Sequence, residues 1–267
     1  MKLKYKIIIL SLVALVLILG IIATIILVKQ NNKEVLISAN LDSSYVFTPD
    51  KKLSFSLWTN QKNHPLNDTS SISQISISSS DHQKLLTLEL FKITPAGKEN
   101  YLEEEYYKLI IYTLMPNLGG DYFIENYLLN ITLVNQQQYH FQMGNISLMY
   151  FDNVGTEEAW TLKSLYGTKD ETKVISRLKF IYLEGSLAAG AVINDIQLGL
   201  LTNCTYTVES NQIIICIDYQ NLVFYNSPII IHYYLNVGNF TQVIDNFLYF
   251  EEGEFLMTNG PLLNIYS

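Results

Sequence analysis

Arginine is almost absent: of the 17 basic residues in this 267-residue chain, only Arg177 is not lysine. Cysteine is scarce too, with none before Cys204 and only Cys216 after it. The early absence leaves no thiol for lipid attachment near the start. Without a CxxC motif there is no basis for redox catalysis or a zinc knuckle. No HExxH, GxSxG or EF-hand loop occurs, so the familiar signatures of zinc proteases, serine hydrolases and calcium sensors are missing. Basic clusters are missing as well. From Glu34 onward 25 acidic residues face 12 basic ones, a net charge of about −13. Such a balance argues against nucleic acid and anionic lipid as partners, since both need concentrated positive charge.

What is present begins with Ile7 to Val28, twenty-two residues without a charge. As a helix they would span roughly 33 Å, enough for a hydrocarbon core of about 30 Å. A cleaved signal peptide has a shorter apolar core and a small-x-small site. Gly20 and Ala23 lack that partner, so the sequence predicts an uncleaved transmembrane anchor in the lipid bilayer. Lys2, Lys4 and Lys6 precede the run and Lys29 and Lys33 follow it, which predicts a cytoplasmic N-terminus and an extracytoplasmic remainder. The small residues of the run form no GxxxG face, so it is expected to tether rather than pair.

Beyond a short stalk, period two dominates. Leu53, Phe55 and Leu57 alternate with polar neighbours, as do Ile75 and Ile77, Leu86 to Leu90, Leu129 to Leu133, Tyr139 to Met143 and Ile146 to Tyr150. Half-buried antiparallel strands read this way. Turns are expected at Thr48-Pro49-Asp50, 60–71, Pro95-Ala96-Gly97, 116–121 and Gly144-Asn145. Glu99 to Tyr107 is the one stretch that suggests a short helical turn. Phe151 to Lys173 breaks the alternation and marks a boundary. Strand patterns then resume over Val174–Leu183, Val192–Leu201, Leu222–Tyr225, Ile229–Leu235 and Phe240–Phe250. The expected architecture is all-β: residues 1–34 as tip, anchor and stalk, then two immunoglobulin-like β-sandwich domains, 35–152 and 153–267. The immunoglobulin cysteine-tryptophan signature itself is absent.

Cys204 and Cys216 flank an expected hairpin. Folding it about Ser210 sets 204 opposite 216, and a non-hydrogen-bonded pair with Cα atoms about 4.5 Å apart suits a disulfide. Closing that loop would contribute roughly 3 kcal/mol.

Catalytic candidates weaken on inspection. Ser176-Arg177-Leu178-Lys179 matches SxxK, but strand alternation sends Ser176 and Lys179 to opposite faces. His64, His82, His140 and His232 share no metal-binding spacing and are expected to face solvent. Glu103-Glu104-Glu105, Glu157-Glu158 and Glu251-Glu252 with Glu254 offer carboxylates for calcium or glycoside hydrolysis, yet adjacent acids on loops are first of all solvated charge. Tyrosine is abundant, 19 in all. In Tyr106-Tyr107 and Tyr233-Tyr234 consecutive rings must point to opposite faces of a strand, which makes them candidates for a partner surface. The sequence therefore predicts no catalytic residue, no metal and no cofactor, and a binding or accessory role in a cell-envelope assembly with a protein partner. The rivals are a hydrolase whose carboxylates only the fold assembles, and a passive spacer or adhesive stalk.

Overall fold

The computed structural model describes residues 33–152, 154, 158–169, 178–199, 204–217, 224–235, 238–245, 255–258 and 260–267. The apolar run 7–28, Ser176 and Arg177, and Glu157, Glu251, Glu252 and Glu254 lie outside them. Among the described residues no helix is long and apolar enough to cross a membrane.

Strands make up nearly everything else. The first ten are β1 (Leu36–Ala39), β2 (Asp42–Val46), β3 (Lys52–Thr59), β4 (Ile72–Ser78), β5 (Leu85–Tyr101), β6 (Glu104–Leu114), β7 (Tyr122–Ile124), β8 (Leu128–Leu133), β9 (Gln138–Gln142) and β10 (Ile146–Met149). There follow β11 (Trp160–Lys169), β12 (Leu178–Leu187), β13 (Val192–Leu198), β14 (Cys204–Val208), β15 (Gln212–Ile217), β16 (Phe224–Asn226), β17 (Ile229–Leu235) and β18 (Gly238–Ile244). A single helical turn α1 (Phe255–Thr258) and β19 (Leu263–Tyr266) close the chain.

Alternation in the first half does what period two requires. Leu53, Phe55 and Leu57 of β3 turn inward with Ile75 and Ile77 of β4, Leu109 and Ile111 of β6, and Leu129 and Ile131 of β8. They meet Tyr45, Ile124, Ile146 and Leu148 from the facing four-stranded sheet β16-β2-β10-β7. The large sheet runs β19-β1-β3-β6-β5-β4-β8-β9. A second core joins sheet β11-β12-β15-β14 to sheet β13-β17-β18 through Ile181, Leu183, Ile196, Ile213, Ile215 and Ile231. Trp160 is fully buried in this second core. Its backbone N–H donates to Gln242 Oε1 and its carbonyl accepts from Gln242 Nε2, both at 2.8 Å, so the amide side chain takes the place of a neighbouring strand.

The two sandwiches are interlaced. β16 adds to the first sandwich by parallel pairing with β2, and β19 adds by antiparallel pairing with β1, Leu36 opposite Tyr266. Residues 153–267, expected to form only a second sandwich, thus lend two strands to the first. Ile229-Ile230-Ile231 is buried on both faces of β17, because Ile230 packs on Val46 and Met149 of the first half.

Two local expectations are corrected. Glu99–Tyr107 forms no helical turn; Lys98 to Tyr101 of β5 pair with Tyr107 to Glu104 of β6. Pro95-Ala96-Gly97 is likewise no reversal but a bulge inside β5, with Gly97 at φ +96°. Among the described pairings β4 flanks only Leu85 to Leu88 of β5, so beyond that point β5 has an open edge, where proline is tolerated. The actual reversal is Leu102-Glu103, with φ +48° and +67°. Two consecutive left-handed residues make the hairpin turn usually given to Asn-Gly, and each non-glycine there costs about 1 kcal/mol or more.

The cysteine hairpin forms, but one residue out of the expected register. Its two-residue turn Ser210-Asn211 is closed by Glu209 N–H donating to Gln212 O at 2.8 Å. Cys204 therefore sits opposite Ile217, and Cys216 opposite Thr205. A slip of one residue turns a side chain to the other face. Cys204 packs against the core, Cys216 shares the outer face with Ile214, and both are free thiols. The expected disulfide is thereby overturned. Reductant should leave the melting temperature unchanged, and alkylation of the denatured, unreduced chain should add two adducts by mass spectrometry. Burial, with Asp195 adding to it, pushes the Cys204 thiol up. Its alkylation in the folded chain should be slower at neutral pH than that of an exposed cysteine, and should accelerate only above the ordinary pKa of about 8.5.

Asp42 opens β2 and accepts the Asn145 N–H at 2.8 Å. Burial raises its pKa, with the hydrogen bonds to Asn145 opposing. A carboxyl raised in the folded state favours folding while protonated, and that contribution is lost as pH rises through the folded pKa. Asp42→Asn keeps the acceptor and removes the charge. It should melt higher than the parent chain at neutral pH, and the gain should vanish below the unfolded pKa of about 3.9. A gain that is flat with pH would refute the assignment.

Candidate functional site

Antiparallel pairing sets Tyr233 of β17 opposite Phe240 of β18 and His232 opposite Thr241. Alternation sends Tyr233 into the core, fully buried, and its ring stacks on Phe240 at 5.8 Å with a 28° interplanar angle. Tyr234 faces outward, 42% exposed. Tyr106 is buried and Tyr107 half-buried under Lys98, whose Nζ lies 5.0 Å from the ring. Burial, then the Glu104 carboxylate that accepts its hydroxyl at 3.1 Å, pushes Tyr106 up to about 12. Of the four tyrosines singled out from the sequence, Tyr234 alone is exposed, and the two pairs lie in different sandwiches.

The rings that do gather belong to a cleft of about 500 Å³. The chain leaving β10 is drawn alongside β18 by a parallel bridge between Val154 and Thr241. This brings Tyr150, Phe151 and Asp152 beside His232 and Phe240, while Asn194 of β13 and Asn239 complete the wall. Phe151 meets His232 edge-on at 5.6 Å, and Asn194 Nδ2 donates to Asn239 Oδ1 at 3.3 Å. His232 Nδ1 lies 3.1 Å from Thr241 Oγ1. No lysine or arginine is among the described residues that line the cleft. Ring faces beside amides, hydroxyls and one carboxylate suit a neutral polar ligand or a peptide.

Two further clefts follow the junction of the sandwiches. One, of about 530 Å³, holds Asp121, Phe123 and Met149 of the first half with Asp195, Gln197 and Cys204 of the second. Asp121 accepts the Tyr150 N–H at 2.8 Å and Asp195 the Gln197 amide at 3.3 Å. The other, of about 470 Å³, is crossed by the 2.7 Å Lys51–Asp245 ion pair.

Elsewhere the candidates disperse. His64 is buried rather than solvent-facing: Nδ1 accepts the Leu66 N–H at 3.1 Å, which puts the neutral ring's proton on Nε2, 3.1 Å from Glu34 Oε1. His140 Nδ1 is 2.7 Å from Asn130 Oδ1. Glu105 pairs with Lys98 at 2.8 Å. Among the described residues no three of His, Cys, Asp and Glu converge as a metal site. The cleft at Phe240 escapes sequence reading because its walls come from residues 150–152, 194 and 232–241, which are brought together by the bridge at Val154 and by the pairing of β13 with β17. The one available signal was the aromatic run Tyr150-Phe151 where alternation stopped.

No protein-family model and no curated protein matches the chain. Among solved structures it is similar to a tandem of titin Ig domains, at 9% identity over 80% of this chain and 96% of that one, with a TM-score of 0.23. It is similar also to the YadV chaperone, at 10% identity over 79% of this chain and 99% of that one, with a TM-score of 0.22. Scores of this size carry no function across. By its own strands the chain is a nearly all-β protein of two joined sandwiches.

Proposed function

We propose that this chain is a non-catalytic binding or accessory protein of the cell envelope, held to the bilayer by residues 7–28 with the sandwiches outside the cytoplasm. The observation that carries the binding role is the cleft of rings and amides beside Phe240. Anchorage is supported by the uncharged twenty-two-residue run and the lysines before it. The interlaced sandwiches support a fixed display surface, because β16 and β19 tie the second half to the first at two separate places.

A photo-crosslinking residue in place of Phe240, in the full chain in its native membrane, tests the binding role. Discrete adducts should form well above those from the same probe at Val134, which is 62% exposed on the first sandwich. Equal labelling at the two positions would overturn it. Protease added to intact cells tests the topology: the region after residue 33 should be degraded, and its protection would reverse the orientation.

A further inference from the structure

We propose that the β5–β6 hairpin tip, with Leu102 at its apex and Met257 beside its base, docks onto the bilayer surface that anchors the chain. This rests on the anchorage read for residues 7–28. The apolar side chains are the starting point: Leu102 is 75% exposed and Met257 65%. Leu102 also sits at a left-handed turn position where Asn or Gly would relieve strain. A strained apolar residue displayed at an apex points to a contact beyond the fold.

Placement says which contact. Thr59, the last residue of β3, lies opposite both Leu36 of β1 and Tyr107 of β6. The hairpin turn comes about five residues beyond Tyr107, so the tip projects roughly 17 Å past the edge where the chain enters β1. From Val28 to Leu36 the chain can reach at most about 29 Å. The tip is long enough to meet the surface from which the tether emerges, and the tether is short enough to hold it there. α1 braces this projection: Phe255 stacks on Trp58 at 5.2 Å, and the Leu256 N–H donates to the buried Glu99 carboxylate at 2.9 Å. The second sandwich lies at the other end of the first, for Lys51, just before β3 begins, pairs with Asp245. Docking the tip would hold the Phe240 cleft away from the membrane.

Charge selects the lipid. Glu103, Glu104 and Glu105 surround the apex; Lys98 pairs with Glu105 and the Tyr106 hydroxyl donates to Glu104, so the three carboxylates face one lysine and the apex stays acidic. The surface is therefore zwitterionic phospholipid rather than an anionic one. Two side chains give weak affinity alone, but the tether turns docking into an intramolecular step at high effective concentration.

The test uses the full chain with Cys204→Ser and Cys216→Ser, reconstituted in phosphatidylcholine vesicles that carry a spin-labelled phosphatidylcholine. An environment-sensitive dye is placed at Leu102→Cys, at Leu85→Cys, or at Ile18→Cys. Leu85 is 64% exposed at the opposite end of β5 and serves as the control. Lipid-borne quenching should be severalfold stronger at 102 than at 85. A charge at the exposed apolar position on α1, Met257→Asp, should lower the docked-to-undocked ratio at 102 about tenfold, ~1.4 kcal/mol. Phosphatidylglycerol in the vesicles should weaken docking. Equal quenching at 102 and 85 with residue 18 lipid-quenched overturns docking and leaves anchorage standing. Failure at residue 18 overturns anchorage itself, and docking with it. A dye at 102 shielded from aqueous iodide but untouched by the lipid quencher would identify a protein partner instead, and would also overturn the proposal.

Discussion

A chain ending after Glu254 should lose its first sandwich. Residues 255–266 supply α1 and β19, and through them Phe255 and Leu256 join Ile37, Ala39, Trp58 and Tyr106 in a small core on the outer face of the large sheet. Burying a Phe and a Leu contributes about 2–3 kcal/mol each. The tail adds four register pairs on β1 and the Tyr266 hydroxyl, which accepts the Gln142 N–H at 2.7 Å. A combined loss of at least about 5 kcal/mol approaches the whole stability of an ordinary domain. The expected result is a collapsed or absent thermal transition by calorimetry, with Trp58 fluorescence shifted to the red. Phe255→Ala is the milder form and should cost about 3–4 kcal/mol. A truncated chain that melts like the parent would show the tail to be dispensable.

Gly144→Ala should be nearly as damaging, for a steric reason. A Cβ there would lie 2.5 Å from the carbonyl carbon and oxygen of Leu41 and 2.7 Å from its nitrogen. Backbone atoms cannot rotate aside as a side chain can. Leu41 cannot retreat either, since Ser43 N–H donates to Asn145 O at 2.9 Å and Asp42 accepts from Asn145 N–H at 2.8 Å. Parting β2 from β10 at this point should cost about 3 kcal/mol or more. Gly120→Ala is the control, with nothing within 4 Å of its Cβ. It should be neutral or slightly stabilising through the unfolded chain. Denaturant melts that show equal losses for the two would refute the packing argument.

Much of the fold was legible locally. Leu53, Phe55 and Leu57, or Leu129, Ile131 and Leu133, alternate because one face of each strand is buried, and the structure buries those residues. The failures share one origin. Turn chemistry pointed to Pro95-Ala96-Gly97 and overlooked Leu102-Glu103, because the ladder between β5 and β6 continues past the glycine and enforces left-handed backbone on residues that do not prefer it. The disulfide geometry hung on the centre of a turn. Moving that centre by half a residue sent Cys204 and Cys216 to opposite faces.

The sequence by itself determined the uncharged stretch 7–28, the acidic balance of the rest, and strand periodicity wherever burial is one-sided. These depend on composition and on neighbours two residues apart. Only the tertiary structure decided that residues 224–226 and 263–266 return to the first sandwich, that Tyr106 and Tyr233 turn inward, and that Phe240, Asn194 and Tyr150 share a cleft. The physical reason is range: pairing between strands far apart in sequence is chosen by total burial and hydrogen-bond satisfaction over the folded chain, and no local window contains either sum.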